Sequence, residues 1–282
     1  MNKIDKKISK LISSALEEDI KNGDITTRAT ISKSKKAVGK FLVKADGIIA
    51  GLEIAKAVFK IVDPKIKFDI KIKDGSKVKY GDVAAVVSGQ AQSLLTAERT
   101  ALNFLQRMSG IASSANNYSE LVKHTKAKVI DTRKTVPGLR TLDKLAVKLG
   151  GCTNHRIGLY DMFLIKDNHI EVSGSISKAV EACVKYNKKH HTKFKIEVET
   201  KNLKEVEEAI KTKADIIMLD NFEIDEMKIA VKLIDGKFKV EASGGVNLDT
   251  VKAIAETGVD YISVGALTHS VKALDISLEI TL

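Results

Sequence analysis

The chain has no tryptophan, and only 5% of its 282 residues are aromatic. Base-stacking platforms for single-stranded nucleic acid are therefore poorly supplied. It has two cysteines, Cys152 and Cys183, and neither belongs to a metal-spaced pair. No zinc site and no disulfide framework is expected. No apolar run approaches the length of a membrane span. Met1 to Lys10 carry charge with no apolar segment behind them, which is unlike a secretory signal. A cytoplasmic protein without membrane partners is the expectation. Arginine is scarce as well. Of 47 basic residues only Arg28, Arg99, Arg107, Arg133, Arg140 and Arg156 are arginines. In a lysine-rich chain, an arginine points to a need for its planar fork, which grips carboxylate or phosphate through two parallel bonds. The alternative use of such a residue is a buried structural pair.

What is present is positive charge, +11 at neutral pH with a pI near 9.4. Clustered on one face, that charge would suggest nucleic acid. Here the lysines run along the whole chain, and no helix carries a one-sided basic stripe. A pocket for small anionic substrates in a lysine-rich background, with no nucleic-acid partner, fits better.

Hydrophobic periodicity predicts two regions. A helix over 3–19 is followed by a loop at Gly23–Thr27. Strand-like runs then fall at Val38–Val43, Phe68–Ile72 and Val83–Val87, with a helix over 52–62 among them. Thr96 is a plausible N-cap for a long helix, or a pair broken near Gly110, reaching about residue 124. From there strand and helix alternate. Strands are expected at Lys128–Asp131, Met162–Lys166, Lys195–Glu199, Asp215–Asp220, Lys239–Ser243 and Tyr261–Gly265. Helices are expected over 141–149, 175–189, 202–212, 223–234 and 248–257. Such alternation, with consecutive apolar residues in each strand, means a parallel sheet covered on both faces. Six strands suit a smaller or open α/β barrel. The tail Ile276–Leu282 reads as a strand rejoining the first region.

Residues 131–169 hold the densest chemistry: Asp131-Thr132-Arg133-Lys134-Thr135, Asn154-His155-Arg156 and Lys166-Asp167-Asn168-His169. Their cations lie beside Thr, Asn and Gly and lack a helical period, as in a pocket for a small polyanion. Each strand also ends in polar residues or glycine. The carboxyl ends of parallel barrel strands converge on one mouth, which would gather Lys134, Lys166, Glu199 and Asp220. Ser243-Gly244-Gly245 and Val264-Gly265-Ala266 follow the last two strands, where backbone N–H groups can approach a phosphate. Glu199 and Asp220 could work as an acid/base pair, hold Mg²⁺, bind ribose hydroxyls, or pair internally with Lys134 and Lys166. His155 and His169 have no third metal ligand at suitable sequence spacing and are expected to donate to an anionic substrate. No Ser-His-Asp order and no reactive cysteine environment is evident.

These segments, together with Glu98-Arg99-Thr100-Ala101-Leu102-Asn103-Phe104-Leu105, Met218-Leu219-Asp220-Asn221-Phe222, Glu241-Ala242-Ser243-Gly244-Gly245 and Leu267-Thr268-His269-Ser270, resemble the quinolinate phosphoribosyltransferases, from about residue 15 onward. The resemblance implies an N-terminal α/β sandwich-like domain, residues 1–112 joined by the tail 272–282. An incomplete α/β barrel of six or seven strands, residues 113–271, would follow. It implies conversion of quinolinate and phosphoribosyl pyrophosphate to nicotinate mononucleotide, pyrophosphate and CO₂ in NAD synthesis, with Mg²⁺. By the same resemblance Arg133, His155 and Arg156 would clamp quinolinate with Lys166. Arg99 would add to these quinolinate contacts from a neighbouring subunit in a homodimer or larger assembly. Thr132, Lys134, Lys166, Asn168, Glu199 and Asp220 would serve phosphoribosyl pyrophosphate. Ser243, Gly244, Gly245, Val264, Gly265 and Ala266 would cradle its 5′-phosphate. Lys134, Lys166, Glu199 and Asp220 would be the catalytic group, with Glu199 and Asp220 at the metal. Two departures stand beside the site: Cys152 where the family often has a third glycine, and Val136 where it commonly has threonine. A related group linked to molybdate transport lacks a clear Lys-Asp-Asn-His segment. A nicotinate-using enzyme would need one carboxylate clamp, not two.

Overall fold

A computed structural model of the protein describes residues 5–281. Lys3, Ile4 and Leu282, assigned above to the first helix and last strand, lie outside them. In chain order the elements are α1 (Lys6–Ile20), α2 (Ile25–Thr30), β1 (Lys36–Val43), β2 (Gly47–Ile48), α3 (Leu52–Val62), β3 (Lys67–Ile70), β4 (Lys77–Val78), β5 (Val83–Gln90) and α4 (Ala91–Val122). Then come β6 (Lys128–Ile130), α5 (Arg140–Leu149), β7 (Phe163–Ile165), α6 (Asp167–Ser173), α7 (Ile176–His190), β8 (Ile196–Thr200), α8 (Leu203–Ala209), β9 (Ile216–Asp220) and α9 (Ile224–Ile234). The chain closes with β10 (Lys239–Ser243), α10 (Val251–Glu256), β11 (Tyr261–Ser263), α11 (Ala266–His269) and β12 (Ile276–Thr281).

The chain forms two compact units. The first takes the residues up to Asn116, Val136–Gly151 and the stretch from Ser270; the second takes Asn117–Thr135 and Cys152–His269. The sequence-based boundary at 112/113, already within α4, thus shifts along that helix to 116/117. Residues 136–151, expected in the barrel, go with the first unit. Asp143 explains part of this: it is fully buried and accepts two bonds from the Arg107 fork, at 2.9 and 2.8 Å. Arg107 is the structural arginine of the set.

In the first unit an antiparallel sheet has the order β12-β1-β5-β3. Along β1 burial alternates, with Ala37, Phe41 and Val43 inward, as a sheet covered on one face requires. Phe41, Phe59 of α3 and Phe68 of β3 meet with ring centroids 5.5–5.9 Å apart. The tail strand pairs with β1 through Phe41↔Leu278.

Two local expectations fail. Residues 25–30 are helical because Asp24 caps them, accepting from Thr27 N at 2.9 Å. Thr96 is no N-cap, since α4 starts at Ala91 and runs unbroken through Gly110. A Cβ at Gly110 would collide with the Lys272 carbonyl oxygen, so this glycine serves close packing and not a break.

The second unit is a parallel sheet of order β6-β11-β10-β9-β8-β7, with one further parallel bridge, Ile130↔Thr153, beside β6. All five residues of β8 and the first four of β9 are buried, as expected of strands covered on both faces. Among the described residues no helix is long and apolar enough to cross a membrane.

Candidate active site

Side chains alternate across a strand, so residues two apart share a face. Glu199 of β8 lies level with Met218 of β9, and Met218 with Glu241 of β10. These three, with Asp220 and Ser243 one step further along, line a cavity of about 960 Å³ at the carboxyl ends of the strands. Thr132, Arg133, Lys134, His155, Arg156, Lys166, Gly244, Gly245, Gly265 and Ala266 line it too. The volume lies in the range of small-ligand pockets.

Asp131, buried at the end of β6, fixes the cationic segment. It accepts from Asn154 Nδ2 at 2.6 Å and from His155 N at 2.9 Å. His155 and Arg156 are thereby hung beside Arg133 and Lys134. The Lys134 loop is held from the other side: its carbonyl accepts from the buried Thr268 hydroxyl at 2.8 Å. Thr132 Oγ1 accepts from Lys134 N at 3.1 Å.

The arginines are crowded. Burial and the neighbouring Arg133 guanidinium both work against the charge of Arg156 and lower its pKa. Among the described residues Arg156 Nη1 donates to the Met162 carbonyl at 3.2 Å, and the buried Nε of Arg133 has no hydrogen-bond partner. Two guanidinium groups with spare donors on one cavity wall make a site for an anion with more than one charge.

At the rim, Lys166 Nζ binds Glu199 Oε2 at 3.0 Å, which realises one of the internal pairings considered above. Lys166 itself is oriented through His169, whose Nδ1 accepts from Lys166 N at 2.9 Å. His169 is therefore a capping residue of α6. Asp220 accepts from Asn221 Nδ2 at 2.9 Å. Asn221 and Gly244 both take left-handed backbone, with φ of 57° and 95°. A Cβ on Gly244 would meet the Asn221 side chain, so only glycine fits that turn.

The floor holds what the sequence reading missed. His155 Nε2 lies 2.9 Å from Glu197 Oε2 and 3.5 Å from Glu241 Oε2, and all three side chains are at most 10% exposed. The Glu241 contact is at ion-pair distance without hydrogen-bond geometry, and both Glu241 oxygens and Glu197 Oε1 are buried with no hydrogen-bond partner among the described residues. The two carboxyl groups raise the His155 pKa to about 10, outweighing burial, which pulls the other way. Burial, with Glu241 nearby, raises Glu197 to about 8. The sequence showed no further metal ligand for His155, yet the fold supplies two carboxylates close enough to share an ion with it. The available signal was Glu197 standing two residues before Glu199, and Glu241 two before Ser243.

Three expected site residues are not part of the cavity lining. Asn168 is exposed in the first turn of α6. Val264 is buried, and its N–H is taken by the Ile130 carbonyl at 2.9 Å, so it has no N–H to offer a phosphate. Arg99 is exposed on α4, in the first unit. Cys152 is buried, and desolvation raises its thiol to about 12, which rules out a ready thiolate.

The chain matches the family described as quinolinate phosphoribosyl transferase, N-terminal domain, over residues 24–109, and the corresponding C-terminal domain over residues 111–279. It is 46% identical to quinolinate phosphoribosyltransferase (decarboxylating) 1b of Nicotiana tabacum, covering 96% of this chain and 81% of that protein. It is 42% identical to the probable nicotinate-nucleotide pyrophosphorylase (carboxylating) of Bacillus subtilis, covering 98% and 94%. The crystal structure of NadC from Streptococcus pyogenes, 38% identical, aligns with a TM-score of 0.95 over 100% of this chain and 99% of that one.

Proposed function

The chain belongs to the quinolinate phosphoribosyltransferase family, and from that premise we propose that its strand-end cavity joins quinolinate to phosphoribosyl pyrophosphate. The products are nicotinate mononucleotide, pyrophosphate and CO₂, made for NAD synthesis. The observation that carries this reading is the crowded pair Arg133 and Arg156, with the buried, partnerless Nε of Arg133. One carboxylate would not satisfy both forks; the adjacent carboxylates of quinolinate would, with His155 beside them.

The residues then divide the work. Arg133, Arg156 and His155 orient the ring so that its nitrogen faces the ribose carbon. Lys134 and Lys166 meet carboxylate and diphosphate oxygens. Substrate would draw Lys166 from Glu199, leaving that carboxylate and Asp220 to bind ribose hydroxyls. Ser243, Gly244, Gly245, Gly265 and Ala266 surround the 5′-phosphate. The carbon–oxygen bond to pyrophosphate breaks as the ring nitrogen attacks. Positive charge develops on the ribose, and negative charge on the leaving diphosphate, where the lysines stabilise it. The quaternised ring then takes up the electron pair of the broken carboxyl bond as CO₂ leaves, and a proton replaces it on carbon. No protein nucleophile is needed.

The carboxylates Glu199 and Asp220, on neighbouring strands and one face, suit Mg²⁺, which takes one or two carboxylates along with substrate phosphates and water. When bound, the ion would supply charge neutralisation for the diphosphate. Arg99 is assigned to the cavity of a second subunit, which makes the working unit at least a dimer.

The test is release of CO₂ from carboxyl-labelled quinolinate. Release that requires phosphoribosyl pyrophosphate is expected, with no comparable turnover of nicotinate. Release that ignores phosphoribosyl pyrophosphate would overturn the reading.

A further inference from the structure

The mechanism leaves two buried carboxylates without a task. Glu197 and Glu241 are at most 1% exposed, sit on inward faces of β8 and β10, and converge on one atom, His155 Nε2. Buried carboxylates with partnerless oxygens are costly, and such a pair is a weak source of stability. Two of them at one cavity, with Glu241 in its lining, call for a positional explanation. His155 is the residue they can position. Its backbone N–H is already tied to Asp131 at 2.9 Å. With Nε2 held by Glu197 at 2.9 Å, the ring is fixed at both its root and its tip. Loss of the contact at its tip would loosen the ring, and Arg133 and Arg156 would lose a fixed neighbour.

We propose that Glu197 and Glu241 are positioning residues for quinolinate recognition: Glu197 holds the His155 ring through Nε2, and Glu241 backs the same edge. His155, Arg133 and Arg156 then present one rigid face to the two carboxylates. The proposal rests on the quinolinate reading above. It differs from a structural role in where the loss falls. A positioning defect weakens quinolinate and spares phosphoribosyl pyrophosphate, whose assigned contacts lie at the rim.

Two near-isosteric variants separate the possibilities. Glu197→Gln keeps an oxygen that can accept from Nε2–H, while Glu197→Met keeps the volume and loses the acceptor. In Glu197→Met the KM for quinolinate should rise about tenfold or more, as expected for losing a charge-assisted hydrogen bond. The KM for phosphoribosyl pyrophosphate should stay within about twofold and kcat should change less than the quinolinate KM, the pattern of weakened ground-state binding. Glu197→Gln should hold the quinolinate KM within about threefold of wild type. The second measurement needs no turnover: ¹⁵N-histidine spectra of the full-length protein should show a hydrogen-bonded Nε2 proton on His155 in wild type and Glu197→Gln. That proton should be lost in Glu197→Met. If Glu197→Met does not fold, Glu197→Gln and the His155 signal decide alone. A folded Glu197→Gln with a quinolinate KM raised more than tenfold overturns the proposal. So does an equal rise for both substrates in Glu197→Met, or an unchanged His155 signal there. Stoichiometric metal retained by wild type and lost in Glu197→Met would also overturn it, by making the cluster a metal site. Wild type that releases no CO₂ from quinolinate is a different failure, and sinks the functional reading instead.

Discussion

Glu197 and Glu199 stand two residues apart on one strand and face the same way, yet they do opposite things. Glu199, at the rim, is paired with Lys166, whose side chain is 50% exposed. Glu197, at the floor, is paired with His155, which is 10% exposed. Glu199 itself is 6% exposed, but the half-solvated ammonium on its flexible stem can leave the carboxylate for substrate while staying hydrated. A buried imidazole cannot leave, and removing one member of a buried pair costs about 3–5 kcal/mol. The rim is thus built for exchange with substrate and the floor for rigidity. Residue type and strand position are shared, so the difference comes from the partner and its access to water.

The sharpest way to break this contrast is at the wall above the floor. Arg133→Lys keeps the charge and loses the fork, so kcat/KM for quinolinate should fall on the order of a hundredfold, from about 3 kcal/mol of lost transition-state binding. A variant within threefold of wild type would make Arg133 structural. At the rim, Gly244→Ala should raise the KM for phosphoribosyl pyrophosphate about tenfold, because a left-handed residue gains a Cβ against Asn221 and the phosphate turn must shift. Steady-state kinetics with unchanged quinolinate KM would sharpen the rim–floor division; equal shifts in both would blur it.

Whether the site is complete within one chain is tested by mixing Arg99→Ala with Lys166→Ala subunits, each inactive alone. If Arg99 acts in a neighbour, half of randomly paired dimers carry one intact site, and activity should return to roughly a quarter of wild type by counting independent sites. Confirmed exchange with no recovery would assign Arg99 to its own chain.

The smallest effect concerns pH. His155 and Glu197 both hold protons more tightly in the folded state, near 10 and 8, than their ordinary values of 6.5 and 4.5. Stability from His155 is complete below 6.5 and is lost as pH rises through 10. That from Glu197 is complete below 4.5 and is lost through 8. Between pH 7 and 9.5 the Tm of wild type should therefore fall further than that of Glu197→Gln, by roughly 2–4 °C. A flat difference between the two would mean that the floor does not bind extra protons.

Much of the molecule was legible in advance, for identifiable reasons. The six parallel strands showed as apolar runs because strands covered on both faces need them. The helix over 52–62 matched its residues because its apolar period and the following Asp63-Pro64 leave little choice. Rim residues were legible because they close their strands. Thr96 misled because a threonine inside a long helix reads like a cap. Gly110 misled because nothing local reveals that the Lys272 carbonyl lies against it. Val264 read as a phosphate donor only while its bond to Ile130 was invisible.

The sequence by itself determined the strand–helix alternation, the gathering of Lys134, Lys166, Glu199 and Asp220 at strand ends, and the family. These follow from periodicity and from residues close together in the chain. Only the tertiary structure decided that His155 meets Glu197 and Glu241, across 42 and 86 positions of sequence. It also decided that Arg107 grips Asp143 while Arg133 keeps a buried donor unspent. The physical reason is that a side chain's charge and its freedom to exchange partners depend on burial and on neighbours, which strand register and packing bring together and local pattern does not encode.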